Sequence, residues 1–511
     1  MVFVLPSIAG CAVPRHATAD PGRLARADAE LMRGCYDCLL AARDEYTGLA
    51  GSSASGPASI ATRLFETDLL IAVREKELGL PPSQALAEAH RLAASLPPRS
   101  AATRYVALAE AVPPNDLGVP AHELRVFRSR HADALGDMRA QIAWLSHGPL
   151  RTLLNEYLRL ALECTYFAET HATPPSESRP AGELVLEYRA QICGFGPMAA
   201  LESVRGREPR FVETSLFIAN TELVLAPHDG PRRAQEHLAE AAAKFPRSSA
   251  IDYLTASYDL WAGENEAALV AFDRTLAVHP GHERARLGRT ISLYRLGRAQ
   301  DAIDNATQLL ELGSEHRVDA LFWRARSHYM LHQLDEARTD IFAAKELTGT
   351  NDVLGLSGII TYELDDLDTA RSDLTAAIAV GPTDCTSRWY LALVERRGRH
   401  WRDAGGGFSA AMTCFHDRAA DSLAQAAALQ ARTDIAAAYR ERAARGLTAS
   451  AEADRKEERL AALGGASCFA AAGDAAAARA LLDVAAEEPE LAERVTRVRA
   501  QLDRTPSRRR P

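Results

Sequence analysis

The residues of this chain that could do chemistry mostly lack a member of the set they would need. Gly194-Phe195-Gly196-Pro197-Met198-Ala199 matches a loose dinucleotide-binding pattern. That chemistry requires a strand before the glycines and a helix N-terminus after them to cradle a pyrophosphate. The preceding residues instead place Leu184, Tyr188 and Ile192 at helical spacing, so the glycines read as a helix-ending turn. A phosphate loop needs Lys directly after Gly, and none of Lys76, Lys244, Lys345 and Lys456 follows one. His122-Glu123 lacks the second His, four residues after the first, that completes a zinc-protease helix. Gly51 to Gly56 lacks the spacing of a nucleophile elbow. Cys35 and Cys38 form a C-x-x-C, but no His follows for haem attachment and no second pair follows for zinc. With Leu31 and Ala42 they fall at helical spacing, which predicts buried apolar thiols. Cys164, Cys193, Cys385, Cys414 and Cys468 are scattered singly and suggest no disulfide framework, and the 15 His are dispersed. These motifs predict no catalytic residues, no metal site and no cofactor.

Composition narrows the class. The chain has 511 residues, 47% hydrophobic and 25% charged, too many for one compact core and too apolar for disorder. Alanine fills roughly a fifth of the positions, which favours helix because Ala loses no side-chain entropy there. With 59 basic against 68 acidic residues the net charge is -9, which argues against a nucleic-acid partner, since such binding needs a basic stripe to displace counterions. No apolar run is long enough to span a bilayer.

The first residues, MVFVLPSIAGCAVP, end their apolar stretch in Ile8-Ala9-Gly10-Cys11. This resembles the lipobox of bacterial lipoproteins, with the departure that no Lys or Arg precedes the apolar stretch. The resemblance implies lipidation of Cys11, a membrane contact through that anchor alone, and a periplasm-facing place in the cell envelope. The alternative is an ordinary apolar terminus on a cytoplasmic protein.

The elements that must position any site come from an internal period. Ala234, Ala268, Ala302, Ala337, Ala370 and Ala404 lie 34, 34, 35, 33 and 34 residues apart. Four residues after each stands Leu238, Phe272, Ala306, Ile341, Leu374 or Phe408, and seven after, Ala241, Thr275, Leu309, Ala344, Ala377 or Ala411. These offsets share one face of a helix. Their small, large, small order lets that helix lie close against another. Pro246, Pro280, Gly349 and Pro382 stop this second helix, while Asp229, Gly263, Gly297 and Asp365 suit a tight turn before it. Leu254 to Leu260, Ile291 to Leu296 and Trp389 to Val394 supply first helices.

A 34-residue helix-turn-helix unit of this kind resembles the tetratricopeptide repeat (TPR). Gly263, Ala268, Phe272 and Pro280 stand at the family's marked positions, whereas the unit at 283–314 keeps its early aromatic and Leu-Gly pair poorly. Gly405, Gly406 and Gly407 weaken the second helix of the last unit. The resemblance implies an all-α, right-handed alpha-solenoid of TPR helix hairpins. The whole is similar to bacterial repeat-containing lipoproteins. Six units span 215–418. Before them we expect a flexible N-terminus at 1–21, a helical region of degenerate hairpins at 22–169, a linker at 170–183 and a helical connection at 184–214. After them we expect C-terminal helices with a degenerate capping repeat at 419–502 and a disordered tail at 503–511.

The resemblance also implies that first helices line a concave groove that takes a peptide or an extended protein segment. In register, those positions hold Tyr253, Leu287, Phe322 and Trp389, and one row on, Tyr294, Tyr329 and Tyr362, with Arg326 and Arg396 as donors among the rings. The competing role for the rings is packing between helices. The Lys residues of the family's carboxylate clamp have no counterpart. The function expected is a non-catalytic protein-interaction scaffold. The alternative is an enzyme with its site in residues 22–210 and the repeats positioning substrate.

Overall fold

The computed structural model describes residues 21–50, 57–113, 121–150, 152–167, 184–194, 198–225, 230–313, 315–431 and 437–504. Cys11, the stretch 170–183 and the tail beyond Arg504 lie outside the described residues. The chain is all-α, and no strand occurs among the described residues. It forms two compact units, Met1–Tyr258 with Arg274–His282, and Asp259–Asp273 with Glu283–Pro511.

The first half holds α1 (Pro21–Arg33), α2 (Tyr36–Ala50), α3 (Pro57–Glu77), α4 (Ala85–Ser95), α5 (Ala102–Glu110) and α6 (Ala121–Leu135). It continues with α7 (Met138–Leu145), α8 (Thr152–Phe167), α9 (Leu184–Gly194), α10 (Met198–Arg207), α11 (Glu213–Leu225) and α12 (Gly230–Lys244). α9 is the helix expected ahead of Gly194, so no strand precedes the glycine pattern. The α3 helix is covered on nearly every side from Phe65 to Glu75 by α2, α4 and α5, which is why its sequence is apolar well beyond one stripe. At its end the Lys76 ammonium donates to the carbonyls of Ala109, Glu110 and Val112 at 3.0, 3.1 and 2.9 Å. It thereby satisfies the orphan acceptors at the C-terminus of α5.

The repeat region follows with α13 (Ser249–Ala262), α14 (Asn265–Val278), α15 (Glu283–Arg295), α16 (Ala299–Glu311), α17 (Arg317–Met330) and α18 (Leu334–Lys345). Then come α19 (Asn351–Glu363), α20 (Leu367–Val380), α21 (Cys385–Arg397), α22 (Trp401–Ala431), α23 (Ala437–Ala471), α24 (Ala475–Ala485) and α25 (Ala492–Arg504). Every member of the three periodic positions, from Ala234 to Ala411, is buried. From α15 to α22 each helix packs on its successor, and α15, α17, α19 and α21 also touch one another in order. These repeat hairpins are stacked side by side, each first helix against the next.

The turns repeat down to single hydrogen bonds. Gly263, Gly297, His332, Asp365 and Arg399 all have positive φ, between 55° and 83°. After each, the next amide reaches back five residues: Glu264 to Asp259, Arg298 to Leu293, Gln333 to His328, Asp366 to Thr361 and His400 to Glu395, at 2.9 to 3.0 Å. This is a left-handed C-terminal cap that closes the first helix and launches the second.

Three expectations need correction. Cys35 and Cys38 are buried as expected but joined in a disulfide, with Cα atoms 4.9 Å apart. Gly34, at φ 70°, breaks the helix just before Cys35, so the two cysteines do not share one continuous helix. Cys385 and Cys414 are also bonded, Cα to Cα 5.4 Å, because hairpin closure sets the start of α21 beside α22. Cys164 too is disulfide-bonded. Finally, the glycines at 405–407 do not interrupt α22, which runs unbroken through position 418 to Ala431. A Cβ on Gly405 would meet the Phe469 ring at 2.9 Å, and one on Gly407 would meet Ala392 at 3.0 Å. Their cost in helix propensity is offset by close approach to neighbouring helices.

The turn geometry yields a paired expectation. Gly297→Ala, where a Cβ meets nothing within 4 Å, isolates the backbone term and should destabilise by about 1 kcal/mol. Arg399→Gly at the equivalent exposed turn should instead stabilise by roughly 0.5 kcal/mol. Urea unfolding of both variants checks the opposite signs.

Candidate functional site

Counting ten residues back from each left-handed turn residue gives Tyr253, Leu287, Phe322, Gly355 and Trp389. One member of this groove-side row has no side chain. Around it a groove of about 340 Å³ opens across α17, α19 and α21, in the size range of a small binding cleft. Phe322 and Arg326 come from α17, Asn351, Asp352, Gly355, Leu356 and Ile359 from α19, and Thr383, Asp384, Thr386 and Ser387 from the start of α21, with Arg418 of α22. Gly355 also lets α21 come close, since a Cβ there would lie 2.9 Å from the Ser387 hydroxyl.

The walls differ in electrostatics. The Asp384 carboxylate accepts from the Ser387 amide at 3.0 Å and from its hydroxyl at 2.5 Å, serving as N-cap of α21. The Arg418 guanidinium is tied to Asp454, Nε to Oδ2 at 2.9 Å. Arg326 is different. Its guanidinium carbon lies 4.8 Å from the Tyr294 ring, 5.0 Å from Trp323 and 5.6 Å from Phe322. Ring faces attract a cation but accept no proper hydrogen bond from its N–H groups.

Of the nine groove residues read from the sequence, Leu287 is half-buried on α15 and the other eight separate. Phe322 and Arg326 line the groove, and Tyr294 supports Arg326. Tyr329 is hydrogen-bonded to Tyr390, and burial pushes its hydroxyl far above the usual range. Tyr362 is buried beneath Arg397, whose guanidinium carbon is 4.2 Å from the ring. Trp389 packs edge-on against Phe408, centroids 5.2 Å apart, among the core residues around Cys385 and Ala392. Arg396 is exposed and stands 5.8 Å from the Phe408 ring. Tyr253, in the other unit, packs on His282 at 4.7 Å. Sequence reasoning missed Asn351, Asp352, Gly355, Asp384 and Ser387. The gap in the periodic row at Gly355 was the available signal.

The densest ionisable cluster lies in the first unit. Arg74, wholly buried, donates to Glu77 at 2.8 Å and also pairs with Glu213. Arg189 reaches the other Glu77 oxygen at 2.5 Å, and the Tyr157 hydroxyl donates to Glu77 at 2.6 Å. The Tyr188 ring lies 4.3 Å from the Arg74 guanidinium carbon. Burial drives the Glu213 carboxyl up while Arg74 holds it down. Two arginines and two carboxylates pair with one another, tying α3, α8, α9 and α11 together, while the buried Arg74 Nε has no hydrogen-bond partner among the described residues. Among the described residues no group of three or more His, Cys, Asp or Glu is arranged to hold a metal ion, and no helix is long and apolar enough to cross a membrane.

No family model and no curated protein matches the chain. Several solved structures resemble it weakly. YrrB, a TPR protein with an unusual peptide-binding site, is 17% identical over 35% of this chain and 91% of its own, at TM-score 0.30. A tetratricopeptide repeat protein from Parabacteroides merdae is 15% identical over 58% of this chain and 99% of its own, at TM-score 0.35. Human IFIT1, as a dimer with PPP-AAAA, is 11% identical over 72% of this chain and 89% of its own, at TM-score 0.35.

One buried carboxylate gives a pH signature. Asp68 on α3 is paired with Arg43 at 2.6 Å, its side chain fully buried. Burial pushes its carboxyl from 3.8 up to about 6, against the pull of Arg43. Between those values the folded chain holds more protons on this group than the unfolded chain does, so its contribution is present in acid and lost as pH rises. Relative to Asp68→Asn, the wild type should lose stability from about pH 4 to pH 6 and stay level above about pH 7. Urea unfolding across that range reads the difference.

Proposed function

We propose that this chain is a non-catalytic protein-interaction scaffold that receives a peptide or extended protein segment in the groove across α17, α19 and α21. The observation that carries the reading is the gap at Gly355 in a row otherwise filled by large side chains, beside an arginine whose N–H groups have no hydrogen-bond partner among the described residues. Three parallel first helices offering aromatic, amide, hydroxyl and charged groups suit an extended segment better than a compact metabolite. The net charge of -9 speaks against nucleic acid as its partner. The arginines and carboxylates of the first unit's buried cluster pair mainly with one another, which suits a structural role for them.

Panning a random peptide library on the intact chain tests this. Selected peptides should lose at least about tenfold in affinity for Thr386→Arg, an exposed rim position of the groove, with unchanged thermal unfolding. Selected peptides indifferent both to Thr386→Arg and to Phe322→Ala would overturn it.

We further propose that the protein works in the cell envelope, anchored through a lipidated Cys11. The Cys35–Cys38 and Cys385–Cys414 disulfides support an oxidising compartment. Mass spectrometry of membrane-extracted protein should find an acylated N-terminal Cys11; an unmodified terminus in a soluble fraction would refute the anchor.

A further inference from the structure

The charges in the groove and on the helices around it are not all answered from within. Arg324 is held by Asp340 at 2.7 Å, Arg371 by Glu395 at 2.7 Å and Arg418 by Asp454. Arg326, one groove wall, has three rings around it and pairs with no carboxylate among the described residues. Asp352, in the first turn of α19, is exposed and pairs with no cation among the described residues. The other groove carboxylate, Asp384, is engaged in capping Ser387. The groove therefore presents one cation and one carboxylate that no hydrogen-bond or ion-pair partner among the described residues engages, on neighbouring first helices.

Their separation can be reckoned from helix geometry. Six residues before its turn, Arg326 stands level with Ile359 of α19, which lies seven residues after Asp352. Seven residues rise about 10 Å along a helix, and packed helices lie about 9 Å apart, so the backbone positions that carry the two charges are roughly 14 Å from each other. An extended segment covers that span in about four residues. Residues four apart in an extended strand also point to the same side, whereas residues three or five apart do not.

We propose, resting on the groove reading above, that the bound segment is extended and carries an acidic side chain for Arg326 and a basic side chain for Asp352, four residues apart. A guanidinium backed by aromatic rings and stripped of part of its water favours a carboxylate, whose planar oxygens match its donors in pairs. The middle one of the three residues between the two charges lies over Gly355, itself a lining residue of the groove.

The test uses fluorescein-labelled Ser- and Thr-rich decapeptides and the full-length chain, read by anisotropy at low and physiological salt. One peptide carries Glu and Lys four apart, a second carries them three apart, and a third replaces both by Gln. The first should bind at least about tenfold tighter than the other two, with the advantage shrinking as salt rises. Arg326→Gln should erase the gain from the peptide's Glu and leave that from its Lys, and Asp352→Asn the reverse. Asp352→Arg should prefer a peptide with Glu at both positions, a gain of affinity that misfolding cannot produce. Equal binding of all three peptides, or no binding of any, overturns the charge pairing. If library-selected peptides still respond to Thr386→Arg in that case, the groove reading survives and only this inference falls.

Discussion

No hairpin of the repeat region can cover its own apolar flank, and that shortage organises the structure. Helices of 12 to 14 residues such as α14, α18 and α20 are marginal alone in water. Their stability comes from burying the alanine stripe and the large residue between its members against adjacent helices. The turns show how far this packing dominates local preference. The left-handed position between first and second helix is glycine at 263 and 297, but histidine, aspartate and arginine at 332, 365 and 399. A side chain in that conformation costs of order 1 kcal/mol, and the stack imposes it regardless.

The first unit meets the same problem with charge at its centre. A helix as enclosed as α3 cannot place Arg74, Glu75 and Glu77 in water, so each must find partners within the protein. Tyr36 and the Ser83 amide serve Glu75, while α8, α9 and α11 serve Arg74 and Glu77. Such networks add little net stability, but an alternative packing would strand a buried charge. Their effect is therefore on which arrangement of helices is tolerated.

What could be read beforehand follows from this physics. The hairpin period was legible because interhelical closeness demands a small residue at a fixed place, and Ala234 through Ala404 mark it without exception. The groove was legible where it is aromatic, at Phe322 and Arg326. Tyr362 and Trp389 are of the same residue types but are consumed by packing, a distinction that depends on neighbours no local pattern contains. Asp384 escaped notice because an aspartate before a helix reads as a cap, which it also is. The Cys385–Cys414 bond joins residues 29 apart that only the closed hairpin brings side by side.

The pair α22 and α23, 31 and 35 residues long, differs from everything before it. Each is more than twice the length of an ordinary second helix, and they run against each other before α24 and α25 close over α23. Yet the hairpin turn survives at its far end: Gly473 has φ 78° and the Asp474 amide reaches back to Phe469 at 2.9 Å. The last part of α23 therefore receives α24 as a first helix receives its second, so a change in helix length does not by itself stop the stacking rule from being applied again.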